Sequence, residues 1–251
     1  WSVASESPRL ARDATLSSPL PPLALALAAV VLGTVMGAVQ YLPVQEYVPW
    51  SPRAGGKGYD YATSFSFPLE ETINMYLPQF SGILDRYWGR NGIHFHSEYI
   101  GATVLVLALF AFGGGLVNRH RSHAWFWLGV LMVSVLWAWG GNTPFYHLVY
   151  AVVPGSTFFR APSTILYVSA FACAVLAAFG AERALAGKGT GRYAIGWGSF
   201  ALVVGVLATS GAFTKLTMSI LGDGRGDLIE ANTSSVVVGA WRSAVAVLAV
   251  V

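Results

Sequence analysis

The sequence predicts an all-α fold, a polytopic membrane helix bundle with interfacial amphipathic helices in its exterior loops. Three observations carry that prediction. Of 251 residues, 55% are apolar and 11% are charged, against roughly 25% charged in an average globular chain. Five uncharged apolar runs and a partial sixth each come near the roughly 20 residues a helix needs to cross the hydrocarbon core. Aromatic residues make up 14%, nine of them tryptophans, and such rings are favoured where lipid meets water. The charge deficit excludes a disordered tail, a nucleic-acid-binding arm and a solvated coiled coil. Membrane lipids are the expected partners, and nucleic acid is not. The single cysteine, Cys173, sits in an apolar run, so neither a disulfide framework nor a thiolate metal site is available.

The spans are expected near Leu23–Val39, Tyr99–Val117, Ala124–Gly140, Ile165–Ala181 and Tyr193–Phe213, with Val236–Val251 as the partial one. Helix is the default in lipid because unpaired backbone groups find no partner there. No ten-residue alternation suggests a barrel. The chain opens on Trp1 and stops within an apolar run, so residues 1–251 are expected to be one transmembrane domain segment, internal to a longer polytopic protein.

Loop charge sets the expected orientation. Arg9 and Arg12, then Arg119 and Arg121, then Arg183, Lys188 and Arg192 fall in short segments on one side if the spans alternate. Basic density in short loops marks the cytoplasmic side. The opposite side carries the long loop 43–98, whose length is more than a connector needs. Within the spans, Ala29, Gly33 and Gly37, and likewise Ala170, Ala174 and Ala178, recur four apart and could form close-packing ridges.

In the long loop, Pro43, Pro49 and Pro52 are expected to break any helix leaving the first span. Arg53-Ala-Gly-Gly-Lys-Gly58 reads as a turn. Ser66-Phe-Pro-Leu-Glu-Glu71 then reads as a helix start, with Ser near the cap and the two acids favoured by the positive helix end. Leu69, Ile73, Tyr76 and Leu77 give it one apolar face. A second short helix is expected over residues 143–153, started by Thr143-Pro144 and ended by Pro154-Gly155. Phe145, Leu148, Val149 and Val152 form its apolar face, with Tyr146, His147 and Tyr150 opposite. Such a segment suits a position flat on the interface.

Candidate chemistry is sparse. His94 and His96, extended by Glu98, make an H-x-H alternation without an evident third ligand, so no metal is assigned. His120 and His123 belong to the basic loop, and no mid-span histidine is present for axial ligation of a haem. Glu70, Glu71 and Asp85 are the acids that could serve as a base or hold a cation. Arg160 stands between aromatics and a proline at the expected membrane surface, where its fork could hold a lipid phosphate or diphosphate, or simply reach the headgroups. Arg53 has the same two readings. Arg242 lies inside the sixth run and must pair, face a polar cavity or snorkel. Gly222-Asp-Gly-Arg-Gly-Asp227 lacks the context of a dinucleotide fingerprint and reads as a mobile loop.

Several phrases together resemble the bacterial YfhO family of polytopic membrane proteins. They are Val39-Gln-Tyr-Leu-Pro43, Ser51-Pro-Arg53, Tyr61-Ala-Thr-Ser-Phe-Ser-Phe-Pro68, Glu98-Tyr-Ile-Gly101, Gly140-Gly-Asn-Thr-Pro-Phe-Tyr146 and Pro154-Gly-Ser-Thr-Phe-Phe-Arg-Ala-Pro162. The resemblance implies a GT-C-like glycosyltransferase of the bacterial cytoplasmic (inner) membrane, multi-pass, taking sugars from a polyprenyl-phosphate carrier to decorate the cell envelope. It also implies that the catalytic acid lies outside this segment, so no catalytic residue is carried over. Arg53, Tyr146, His147 and Arg160 fall in matching phrases and are the candidate carrier- or acceptor-binding residues. No cofactor is read from the sequence. A non-catalytic membrane subunit scaffolding partner membrane subunits, and a transporter, remain as alternatives.

Overall fold

A computed structural model describes residues 20–52, 54–92, 98–112, 118–187, 190–221 and 224–251, and every regular element among them is helical. The chain divides into two compact units, Trp1–Gly56 and Lys57–Val251.

The first unit holds one long helix, α1 (Leu20–Tyr47), followed by a 3-10 turn over Val48–Trp50. None of its apolar window is buried within the protein. A helix apolar all round is matched to lipid rather than to water. The expected break at Pro43 does not occur, because α1 runs through it to Tyr47. Pro43 costs one backbone hydrogen bond, a loss that long apolar helices tolerate in a membrane. Pro49 instead sits at the start of the 3-10 turn, where its missing N–H is no loss.

The second unit begins with α2 (Gly58–Ala62) and two 3-10 segments, Leu69–Met75 and Leu84–Arg86. Then come α3 (Ala102–Phe110), α4 (Asn118–Ala138), a 3-10 turn at Gly140–Asn142 and α5 (Phe145–Val152). A last 3-10 segment, Pro162–Ile165, leads into α6 (Leu166–Leu185), which is followed by α7 (Thr190–Thr209), α8 (Ala212–Leu221), α9 (Gly226–Ala231) and α10 (Thr233–Leu248).

Among the described residues three helices are long and apolar enough to cross a membrane: Leu23–Trp50, Pro162–Leu185 and Gly191–Thr209. The other expected spans differ for separate reasons. Helix α4 has the length, at 21 residues, but Arg121, Ser122 and His123 make its beginning polar. The run expected over Tyr99–Val117 is helical from Ala102 to Phe110, and residues 113–117 lie outside the described residues. Helix α10 is apolar but has 16 residues.

Helices α3, α4 and α6 pack together, and α10 packs on α7 and α3. Helix α6 turns Ser169, Ala172, Cys173, Leu176, Ala177 and Gly180 inward. Ala170, Ala174 and Ala178, the ridge expected from the sequence, are exposed instead. The neighbouring stripe won because it offers both close approach and a polar pair. Gly180 lies so near the Leu107 carbonyl of α3 that a Cβ would overlap it, and Ser169 Oγ meets Ser134 Oγ of α4 at 2.8 Å. In α1, Gly33 and Gly37 have open space where a Cβ would go. At the far end of α6, Arg183 donates to Phe110 O and lies 4.7 Å from that ring, tying down the end of α3.

The long loop is not a surface connector over residues 65–88, because it packs in among the helices. Ser243 Oγ of α10 donates to Tyr76 O, and the Tyr76 ring meets Phe200 of α7 edge-on at 5.4 Å. Leu77, Phe80 and Trp88 share a core with Val204, Ala208, Val236 and Ala240. Irregular backbone in such a place must have its polar groups paired, and the side chains of four residues do this. Asn232 Nδ2 donates to Gln79 O and Phe80 O, Trp88 Nε1 to Phe80 O, Asn142 Nδ2 to Phe67 O and Ser163 Oγ to Phe65 O. The helix start expected at Ser66 is therefore a 3-10 segment capped by Pro68, without a side-chain cap. Ser66 Oγ is used elsewhere, accepting from Gly141 N and donating to Thr63 O. Of the Gly222–Asp227 stretch read as a mobile loop, residues 222–223 lie outside the described residues, and the remainder is not a free loop. Arg225 donates to Trp88 O, and Asp227 lies in the first turn of α9.

Candidate functional site

Helix α5 forms where the proline signals place it, and its buried side takes one residue from each of the two expected faces, Tyr146 and Val149. Tyr146 and Val149 are buried against Ala62 of α2, with Trp137 and Tyr59 packed around them. Leu148 and Val152, of the expected apolar face, are exposed. Larger aromatic side chains win the inward position because each buries more area and finds ring partners there. Tyr59 meets Tyr150 edge-on at 5.4 Å and stacks flat on His147, with centroids 4.2 Å apart and planes 3° apart. Burial raises the Tyr59 pKa, with Asp60 adding to the effect, and burial also raises that of Tyr146. Both phenols therefore stay protonated at neutral pH.

Arg160 lies on the other side of α2. Its guanidinium carbon is 5.1 Å from the Phe65 ring centroid and 5.8 Å from that of Tyr61. The side chain is exposed. The rings can hold the guanidinium plane by cation–π attraction while its N–H edge stays free for an anion. The backbone around it is strained: Phe65 and Ala161 adopt φ of 61° and 62°. Left-handed conformations at such residues cost of order 1–3 kcal/mol each and persist where surrounding bonds over-determine them. Here Ala161 N donates to Ser64 O, while Ser163 Oγ and Asn91 Nδ2 both donate to Phe65 O. Arg160 is thus mounted on a rigid corner.

Of the residues proposed from sequence, the structure brings Tyr146 and His147 into one aromatic cluster. Helix α2 joins that cluster to Arg160, through Tyr59 on one side and Tyr61 on the other. Arg53 lies outside the described residues, and so do His94 and His96. Among the described residues no group of three His, Cys, Asp or Glu could hold a metal ion. Asp85 is exposed in a 3-10 turn.

The two acids read as a helix start have separate and different roles. Glu70 takes a bidentate pair from Arg90, with Nε to Oε1 at 2.7 Å and Nη2 to Oε2 at 2.8 Å. This bond raises the Arg90 pKa. Glu71 is 2% exposed and accepts from Tyr87 OH at 2.5 Å. Ser81 Oγ stands 3.5 Å from its other oxygen, and Asn74 and Ser81 bond to each other, Asn74 Nδ2 to Ser81 Oγ and Ser81 N to Asn74 Oδ1. Asn91 N in turn donates to Tyr87 OH. Burial and the bond to Glu71 push the Tyr87 pKa far up. No spacing rule reveals this network, since Asn74, Ser81, Tyr87 and Asn91 share no periodicity with Glu71. Its bonding and burial make it a brace for the loop rather than a catalytic base.

Among the described residues, these elements define an all-helical protein with three helices able to span a membrane and a packed, arginine-bearing loop region. Comparison with family models, curated proteins and solved structures finds no match to this chain.

Proposed function

We propose that this chain is the carrier-binding part of a multi-pass protein of the bacterial cytoplasmic membrane, a YfhO-like, GT-C-like glycosyltransferase that uses a polyprenyl-phosphate-linked sugar in the cell envelope. Arg160 is the observation that carries the reading. It is a cation exposed at the loop surface, held over two rings and, among the described residues, bonded to no carboxylate. Phe159, 65% exposed beside it, supplies an apolar contact for a lipid chain. A guanidinium offers phosphate two parallel hydrogen bonds, whereas an ammonium offers a point charge. The base for sugar transfer would come from outside the segment, since Glu71 is buried and bonded.

The test uses full-length protein in vesicles, with polyprenyl phosphate and uncharged polyprenol as probes. Retention of the phosphate over the alcohol, reduced about tenfold by Arg160→Lys as a bidentate contact is lost, supports the reading. Equal retention of the two probes, or a Lys variant equal to the wild type at limiting carrier, would overturn it. Sugar transfer from the carrier, measured in the same vesicles, separates the enzyme from a carrier-binding scaffold.

A further inference from the structure

Helix α10 has two unlike long faces. Val236, Gly239, Ala240, Ser243, Ala244 and Val247 point inward onto α7, α3 and the loop. Val238, Trp241, Arg242, Val245 and Leu248 form the exposed face, at helical spacing. Trp241 leans across Gly205 and donates its Nε1 to Thr209 Oγ1 of α7. Among the described residues Arg242 has no hydrogen-bond or ion-pair partner.

Its depth follows from its neighbours. Ser243 bonds to the Tyr76 carbonyl, and the Tyr76 ring packs on Phe200, at the middle of α7. With Ala244 packed beside Ala201 and Trp241 over Gly205, Arg242 is level with the stretch 201–205 of a helix able to cross the membrane. A bare arginine inside the hydrocarbon region is costly and is normally paired.

We propose that the outer face of α10 docks a membrane helix of a partner protein carrying one carboxylate, Asp or Glu, level with Arg242. The inference rests on the membrane-spanning reading above, and not on carrier binding. Charge complementarity selects this occupant. A second copy of the chain does not fit, because among the described residues α6, α7 and α10 carry no Asp or Glu near mid-helix, and two such faces would oppose two arginines. An entirely apolar helix would leave the guanidinium unpaired.

The experiment places full-length protein in phosphatidylcholine vesicles with a fluorophore on Val245→Cys; the native Cys173 is buried. The probes are labelled polyleucine transmembrane peptides with a central Glu or a central Gln. Energy transfer to the Glu peptide should exceed that to the Gln peptide roughly fivefold. The preference should vanish in Arg242→Leu, a change that removes a charge from an open face and leaves the packed face intact, and should persist in part in Arg242→Lys. Equal transfer to both peptides, or a preference that survives Arg242→Leu, would overturn the proposal. So would labelling of Arg242→Cys by a membrane-impermeant maleimide, which would place the side chain in water. Protection of Leu25→Cys in α1 in that same experiment would leave the membrane reading standing while the α10 proposal fell.

Discussion

Tyr87 donates its phenolic hydrogen to Glu71 at 2.5 Å, and Glu71 is 2% exposed. One bond thus joins the 3-10 segment Leu69–Met75 to the chain entering Asn91, and it satisfies a carboxylate that burial would otherwise penalise heavily. Gly89 is the enabling residue, since any Cβ there would overlap both the carboxylate and the phenol.

Tyr87→Phe should lower stability by about 1–3 kcal/mol, the cost of leaving a buried acceptor without its donor, measured by thermal unfolding in detergent. The pH dependence has a definite sign. The folded pKa of Tyr87 is raised above the ordinary tyrosine value of about 10. Its contribution is therefore fully present below pH of about 10 and is lost as pH rises beyond that value. Wild type should lose stability in that alkaline window, and Tyr87→Phe should show a shallower loss. Equal alkaline slopes would show that the phenol does not report on folding.

Gly180→Ala should destabilise the α3–α6 contact, because the new methyl group overlaps the Leu107 carbonyl and backbone must move. Overpacking of this kind costs typically 1–3 kcal/mol. Ala178→Leu, on the exposed side of the same helix, should be within about 0.5 kcal/mol of wild type. A thermal-shift comparison of the two variants decides which small-residue stripe of α6 is the packing face.

Topology can be read by cysteine labelling, since the native Cys173 is buried. Lys57→Cys should react with an impermeant maleimide in intact cells, and Ser122→Cys only after permeabilisation. Both positions are exposed, so accessibility within the protein does not confound the result. Labelling of Ser122→Cys from outside would invert the orientation drawn from the basic loops.

The sequence by itself determined the helical content and several element boundaries. Apolar length marked α1, α6 and α7, and Pro144 and Pro154 bracketed α5, because backbone satisfaction in lipid and the missing proline N–H are local constraints. It also singled out Arg160 as a cation among aromatics. Only the tertiary structure decided which faces pack. Where nearly all positions of a helix are apolar, periodicity gives almost no direction, so Ala170, Ala174 and Ala178 were as plausible from sequence as the stripe through Cys173 and Gly180. Close approach to Leu107 and the Ser134–Ser169 pair settled the choice. In α5, Tyr146 is inward and Leu148 outward because Tyr59, distant in sequence, and Trp137 at the end of α4 supply ring partners. The fate of the acids was equally non-local: Arg90 pairs with Glu70, and Tyr87 and Ser81 enclose Glu71. The rings beneath Arg160 come from Tyr61 and Phe65, far back along the chain. Such pairings depend on where chain closure brings side chains together in space, and local sequence carries no record of it.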